Sequence, residues 1–233
     1  MSNFRQITNE GSMFPISVVD NFFRNPEDVV DFAKSVKYNP PRGNYPGVRS
    51  DEIKELDNDL YETVLEKIFY IFYERPLSDF SEIDCGMSFL KQESIPNPGN
   101  FQYGFIHRDI FEMLAGVIDL SEIDDSPNTT IFSCQEPLAL PTNDAMLMYY
   151  KHELYTSGEV DDEVSYIKRR KTFDSQFSEN VVMKNAFNRL LLFPAGKPHA
   201  VEIKPKPRLI LNFFIRSFKC DGHEPLKRNY MYV

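Results

Sequence analysis

His107 and Asp109 are separated by one residue at the end of the strand-like run Phe101-Gln102-Tyr103-Gly104-Phe105-Ile106. A strand has a side-chain period of two, so His107 and Asp109 point the same way and Arg108 the other. An imidazole and a carboxylate side by side on a pleat are two thirds of a facial metal site. The other histidines are His152, His199 and His223. His199 begins a strand-like stretch directly after the turn Pro194-Ala195-Gly196-Lys197-Pro198, where a ligand at the mouth of a barrel would sit. Two imidazoles and one carboxylate form the triad that holds non-haem Fe(II) with open coordination positions. Zinc accepts the same donors, so the ligand set alone leaves the metal open. His152 and His223 fall in a helical stretch and a polar tail, and read as surface residues.

Arg208 lies nine residues after His199 (208 − 199), beyond a second turn, Lys204-Pro205-Lys206-Pro207. It opens a strongly apolar strand, one strand over from the metal ligands. A planar guanidinium there can hold a carboxylate bidentately. A cosubstrate with one carboxylate and a keto group on the metal, and a second carboxylate on an arginine, is 2-oxoglutarate. Ile210, Asn212 and Phe214 share the face of Arg208, and Phe101, Tyr103 and Phe105 share that of His107. Tyr103 and Asn212 are therefore the polar groups placed to touch the cosubstrate. For Tyr103, a core tyrosine with a satisfied hydroxyl is the plainer alternative. His107-Arg108-Asp109 also spells the opening of a protein-kinase catalytic loop. That reading fails, because Leu114 stands where the loop needs asparagine and no Asp-Phe-Gly follows.

The elements that must position these residues are legible in outline. Residues 13–23 read as a strand. Asn25-Pro26-Glu27-Asp28 reads as a helix start, with Asn25 as cap and the acids at the positive end of the dipole. Val29, Val30, Phe32, Ala33 and Val36 give that helix an apolar face, and Pro40-Pro41 stops it. Residues 40–50 read as a loop in which Arg49 is solvated unless a pocket lies near. A second helix is predicted from about Asp57 to Tyr73, with Leu60, Val64, Leu65, Ile68, Ile71 and Phe72 at spacings of three and four. From Glu82 the period changes to two, and short strands follow near 83–90, 101–107, 114–120 and 129–134. Residues 135–182 interrupt them with two polar helical stretches, 144–154 and 162–177, taken as a helical insertion and a possible lid. Its cluster Lys168-Arg169-Arg170-Lys171 reads as a solvated helix face. Strands resume at 189–193, 199–203 and 208–215. Short strands separated by turn signals favour a barrel or sandwich.

The 233 residues suffice for one large domain, and 42% hydrophobic and 14% aromatic content supplies a sizeable core. A net charge of −9 argues against bulk nucleic-acid binding, which needs a basic surface. Cys85, Cys134 and Cys220 are far apart, without CxxC spacing, and fit free thiols in a reducing cytoplasm. No apolar leader and no run of about 20 apolar residues marks a signal peptide or membrane span.

The joint pattern His107-x-Asp109, His199 and Arg208 resembles the Fe(II)/2-oxoglutarate-dependent dioxygenase superfamily. The spacing from the last histidine to the arginine, and the context Asn188-Arg189-Leu190-Leu191-Leu192-Phe193-Pro194 before Pro198-His199, is most similar to the prolyl-4-hydroxylase-like branch. The resemblance covers residues 82–218, and the N-terminal part looks like bacterial and phage members of the superfamily. It implies a mainly β fold with flanking helices: a double-stranded β-helix (jelly-roll, cupin-like) core over 82–218, in a single domain spanning 1–233. It further implies iron on His107, Asp109 and His199, the 2-oxoglutarate 5-carboxylate on Arg208, and use of O2. The reaction implied is hydroxylation of a C–H bond in a peptidyl or small-molecule substrate, with release of succinate and CO2. Two other readings fit the same residues: a catalytically silent metal-binding jelly-roll, and a cupin-like metal enzyme that does not use 2-oxoglutarate.

Overall fold

The computed structural model describes residues 16–40, 45–92, 96–109, 111–121, 126–134 and 145–220. The chain opens with β1 (Ser17–Val19), shorter than the strand predicted over 13–23, of which 13–15 lie outside the described residues. It turns at Asn21, whose φ is 52°. The buried Phe22 and Phe23 follow, and the side-chain amide of Asn188 clips Phe23 on both sides, accepting from its N–H and donating to its carbonyl, each at 2.8 Å. Helix α1 (Pro26–Ser35) begins at the proline as predicted, but Asn25 makes no side-chain cap bond, so Pro26 and the acids Glu27 and Asp28 carry the start. The expected loop 40–50 contains strand instead: β2 (Tyr38–Asn39) pairs with β3 (Val48–Ser50). Residues 41–44 lie outside the described residues. After the short α2 (Ile53–Leu56), Asp57 caps α3 (Asn58–Tyr73) by accepting from Leu60 N at 2.9 Å.

From there the chain is mostly antiparallel sheet. The strands are β4 (Phe80–Gln92), β5 (Leu114–Asp119) and β6 (Thr129–Cys134). Helices α4 (Ala145–Thr156) and α5 (Glu163–Asp174) come next. Then follow β7 (Phe177–Met183), β8 (Leu190–Pro194), β9 (His199–Val201) and β10 (Arg208–Cys220). One sheet has the order β1-β8-β5-β10-β4-β3-β2, and a second has the order β7-β6-β9. The predicted helical stretch over 162–177 therefore ends at Asp174, and residues 177–183 form an edge strand on β6. Its pattern is exposed along nearly its whole length, so Phe177-Ser178-Glu179-Asn180 lacks the alternation that marks a half-buried strand.

The two faces of the larger sheet divide the core. Leu211, Phe213 and Ile215 of β10 pack with Phe89, Leu190 and Leu192 against α1 and α3, which contribute Val30, Ala33, Val64, Leu65, Ile68 and Phe72. The opposite face presents Ala115, Leu191 and Phe193 to Ile131 and Met183 of the smaller sheet. Antiparallel pairs put directly opposed side chains on one face. Phe213 stands opposite Gly116, and its ring occupies the space a Cβ would need, 2.0 Å away, which is why glycine sits there. Burial of these large side chains contributes about 1.5–3 kcal/mol each relative to exposure.

Candidate metal centre

His107 and His199 face each other as a reciprocal antiparallel pair. His107 N donates to His199 O at 3.0 Å, and His199 N to His107 O at 2.9 Å. Asp109 is fixed by its own N–H, which donates to Ala195 O at 3.0 Å, in the turn between β8 and β9. The backbone thus brings together residues 92 positions apart (199 − 107), which the sequence joins only by pattern. The run 101–107 does not form a continuous ladder. It touches β9 through two isolated bridges, Tyr103 with Glu202 and His107 with His199.

Both imidazoles are oriented from behind. His107 Nδ1 lies 2.8 Å from Phe105 O, and His199 Nδ1 2.8 Å from Lys197 O. A carbonyl can only accept, so each Nδ1 carries the proton and each Nε2 presents a lone pair. Those Nε2 atoms lie 3.9 and 3.3 Å from the two oxygens of Asp109. One ligand atom from each of the three residues fits within 4.8 Å of the others. Preset tautomers and a converging carboxylate fit a divalent metal such as Fe(II) or Zn(II).

The electrostatics keep His107 and Asp109 in their ligating states. Burial holds His107 well below the usual imidazole range, and the charges of His199 and Lys151 add to the fall. Burial opposes ionisation of Asp109, but the adjacent imidazoles of His199 and His107 and the charge of Lys151 outweigh it and lower its pKa. The side chain of His107 keeps 41% of its surface accessible, whereas that of His199 keeps 7%.

Arg208 starts β10 opposite Gln92 of β4, only 4% exposed. Its Nε and Nη2 are buried with no hydrogen-bond partner among the described residues. Burial lowers its pKa, and the nearby Asp119 opposes the fall. Asp119 is itself fully buried and accepts from Ser121 N at 2.8 Å, while its other oxygen has no donor. Asn212 shares the face of Arg208, as the period of two predicts. Its Oδ1 accepts from Ser88 Oγ at 3.2 Å. Tyr103 is held elsewhere. Its hydroxyl donates to Glu179 of β7 at 2.5 Å, and its ring meets Phe132 edge-on at 5.2 Å. Phe132 belongs to the apolar cluster under α4 and α5. Two isolated bridges do not propagate a period of two, so the face shared with His107 is not inherited by Tyr103.

Two cations near the ligands carried little signal in the sequence. Arg49 is strand rather than loop and pairs with Leu90. Gly47 makes this possible: its φ is +87°, and a Cβ there would lie 2.2 Å from Lys91 O. Lys151 on α4 is 9% exposed. Burial pushes its pKa down to about 8, with Asp109 pulling upward and Arg170 downward. Arg170, predicted on a solvated face, is instead 1% exposed. Tyr166, Arg170 and Phe173 form the buried face of α5, and the charge is absorbed by Asp174 and by the carbonyls of Tyr103 and Gly104.

A profile for a family of unknown function, DUF6445, matches residues 2–95, fewer than half the chain and none of the metal-ligand set. No curated protein matches. Among solved structures, EvdO2 from Micromonospora carbonacea var. aurantiaca overlaps at a TM-score of 0.51 with 10% identity, covering 100% of this chain and 98% of that one. Its complex with 2-oxoglutarate overlaps at 0.50 with 11% identity and the same 100% and 98% coverage. An oxidoreductase of the 2OG-Fe(II) oxygenase family from Burkholderia pseudomallei overlaps at 0.46 with 8% identity, covering 91% and 87%. The chain thus shares its fold, mostly antiparallel sheet with a few helices, with EvdO2. No helix among the described residues is long and apolar enough to cross a membrane.

Proposed function

We propose that the protein is an Fe(II)- and 2-oxoglutarate-dependent oxygenase of the prolyl-4-hydroxylase-like kind, hydroxylating a C–H bond in a small molecule or peptidyl side chain. The observation that carries the reading is the pairing of a preset His107–Asp109–His199 triad with a buried guanidinium, Arg208, whose Nε and Nη2 have no partner. A buried arginine left unsatisfied by protein is costly, and a carboxylate is the group its fork fits.

His107, Asp109 and His199 would hold the iron. Bound there, the metal would supply oxygen activation coupled to decarboxylation of 2-oxoglutarate. Arg208 binds the distal carboxylate. With Asn212 Oδ1 taken by Ser88, its Nδ2 is the donor left for a ligand oxygen on that face. The carbonyls of Phe105 and Lys197 keep both Nε2 atoms aimed at the metal. Phe193, with its ring 4.8 Å from that of His199, helps exclude water on that side. Helices α4 and α5 cover the run that leads to His107 and are the candidate lid. Anaerobic addition of Fe(II) and 2-oxoglutarate is expected to produce a weak visible charge-transfer band, and air should then release succinate. Absence of both overturns the reading.

A further inference from the structure

Arg208 has a role in that reading, but two other cations beside the ligands do not. Lys151 Nζ faces the rings of Phe105 and Tyr155, 5.9 Å from each centroid. It has no hydrogen bond or ion pair among the described residues. Phe105 is the residue whose carbonyl orients His107, so Lys151 stands one side chain from a metal ligand. Arg49 arrives from β3 of the larger sheet. Arg49, Leu90, Ile210 and Asp119 form one row across β3, β4, β10 and β5, so Arg49 shares the face that carries Arg208 and Asn212. Its guanidinium stacks 3.9 Å over the ring of Tyr45, and its Nε is buried without an acceptor. The charge of Asp109 acts on both cations. Arg49 also feels Glu52, but Glu52 Oε2 is already accepting from Met87 N at 2.7 Å.

Aromatic rings soften the burial of a cation, but by well short of the cost of desolvating it. Both cations lie within electrostatic reach of Asp109, and the described residues supply neither with a paired anion. We propose that Lys151 and Arg49 bind the anionic group of the substrate, so that the molecule oxidised carries an oxyanion, either a carboxylate or a phosphate ester. The two side chains suit the task differently. Arg49 offers a planar fork held in orientation by Tyr45, and Lys151 a point charge that turns to the remaining oxygen. Lys151 comes from the segment between β6 and β7, so that segment would contribute to substrate choice. The oxidation of the substrate rests on the oxygenase reading, whereas the anion site does not.

The test is calorimetric titration of acetate and of inorganic phosphate into the full chain, with Mn(II) in place of iron and saturating 2-oxoglutarate to occupy Arg208. Saturable binding is expected in the wild type. It should weaken at least tenfold in Lys151→Met and in Arg49→Met, with 2-oxoglutarate affinity unchanged. The tighter of the two ions identifies the substrate's anion. Anion affinity that survives either substitution overturns the proposal, as does a wild type with no saturable response to either ion. Should Lys151→Met not fold, Arg49→Met decides alone by the same criterion. Failure of the oxygenase reading looks different: the wild type then binds no 2-oxoglutarate and releases no succinate, while acetate or phosphate still binds and is still lost in both variants.

Discussion

Arg170 and Arg208 are buried almost equally, 1% and 4% exposed, in two different regions of the molecule. On α5, Arg170 is finished by protein. Its Nε reaches both oxygens of Asp174 at 2.8 and 2.9 Å, and its Nη2 reaches the carbonyls of Tyr103 and Gly104. The rings of Phe101 and Phe105 flank it at 4.9 and 4.4 Å. At the start of β10, Arg208 has two buried nitrogens with no acceptor among the described residues. Burial alone does not separate a structural charge from a binding one. The separation lies in who satisfies the hydrogen bonds. Arg170 supplies donors to carbonyls that the irregular run 101–107 leaves outside a ladder, so it acts as a missing piece of sheet. Arg208 has no such duty.

The comparison breaks most sharply on stability. Arg170→Met should destabilise the fold by about 2–3 kcal/mol, since it strips partners from a half-buried pair and two part-buried carbonyls. Urea denaturation reads this directly, and a variant as stable as the wild type would remove the contrast. Arg208→Met should leave the fold as stable or slightly more so, while 2-oxoglutarate affinity falls by about 30-fold or more, the range for removing one half of a buried charge pair. If affinity holds, Lys204 or Lys206 becomes the anchor to examine. Zn(II) at about a hundredfold excess over its dissociation constant should stabilise the wild type by roughly 2.7 kcal/mol. His199→Ala should abolish that gain, and a retained thermal shift would dissociate the triad from the metal.

The smallest expected effect concerns Lys151, which is intermediate between the two arginines, having aromatic neighbours but no anion. Its folded pKa, about 8, lies below its ordinary value of 10.5. The unfolded chain therefore binds more protons between those values, so the Lys151 contribution to stability rises with pH across that window. Buried tyrosines with raised pKa values, such as Tyr38 and Tyr73, act oppositely above about pH 10. The informative quantity is thus the difference between wild type and Lys151→Met in the absence of metal and ligand. That difference should shrink as pH climbs from 8 toward 10.5, and a flat difference would place the Lys151 charge in solvent.

Much of this arrangement was legible in residue order, for local reasons. Pro26, the acids after it and the three-and-four spacing of Val64, Leu65, Ile68 and Phe72 mark α1 and α3, because helix signals are set by neighbours in the chain. The turns around Pro198 and Pro205 place His199 and Arg208 at strand starts for the same reason. What was misread depended on distant contacts. Arg49 looked like a loop residue until β4 supplied a partner strand. Arg170 looked solvated because its two backbone acceptors lie more than 60 residues away, at Tyr103 and Gly104. Tyr103 was assigned to the face of His107 by a strand period that two isolated bridges do not sustain.

The amino-acid sequence by itself determined the donor set, two imidazoles, a carboxylate and an arginine, and the elements that carry them, since side-chain chemistry and turn propensity are local properties. Tertiary structure alone decided which charges find acceptors among the described residues and which do not. That distinction depends on burial and on acceptors brought in from other strands, and neither is written in the neighbours of Arg208, Arg49 or Lys151.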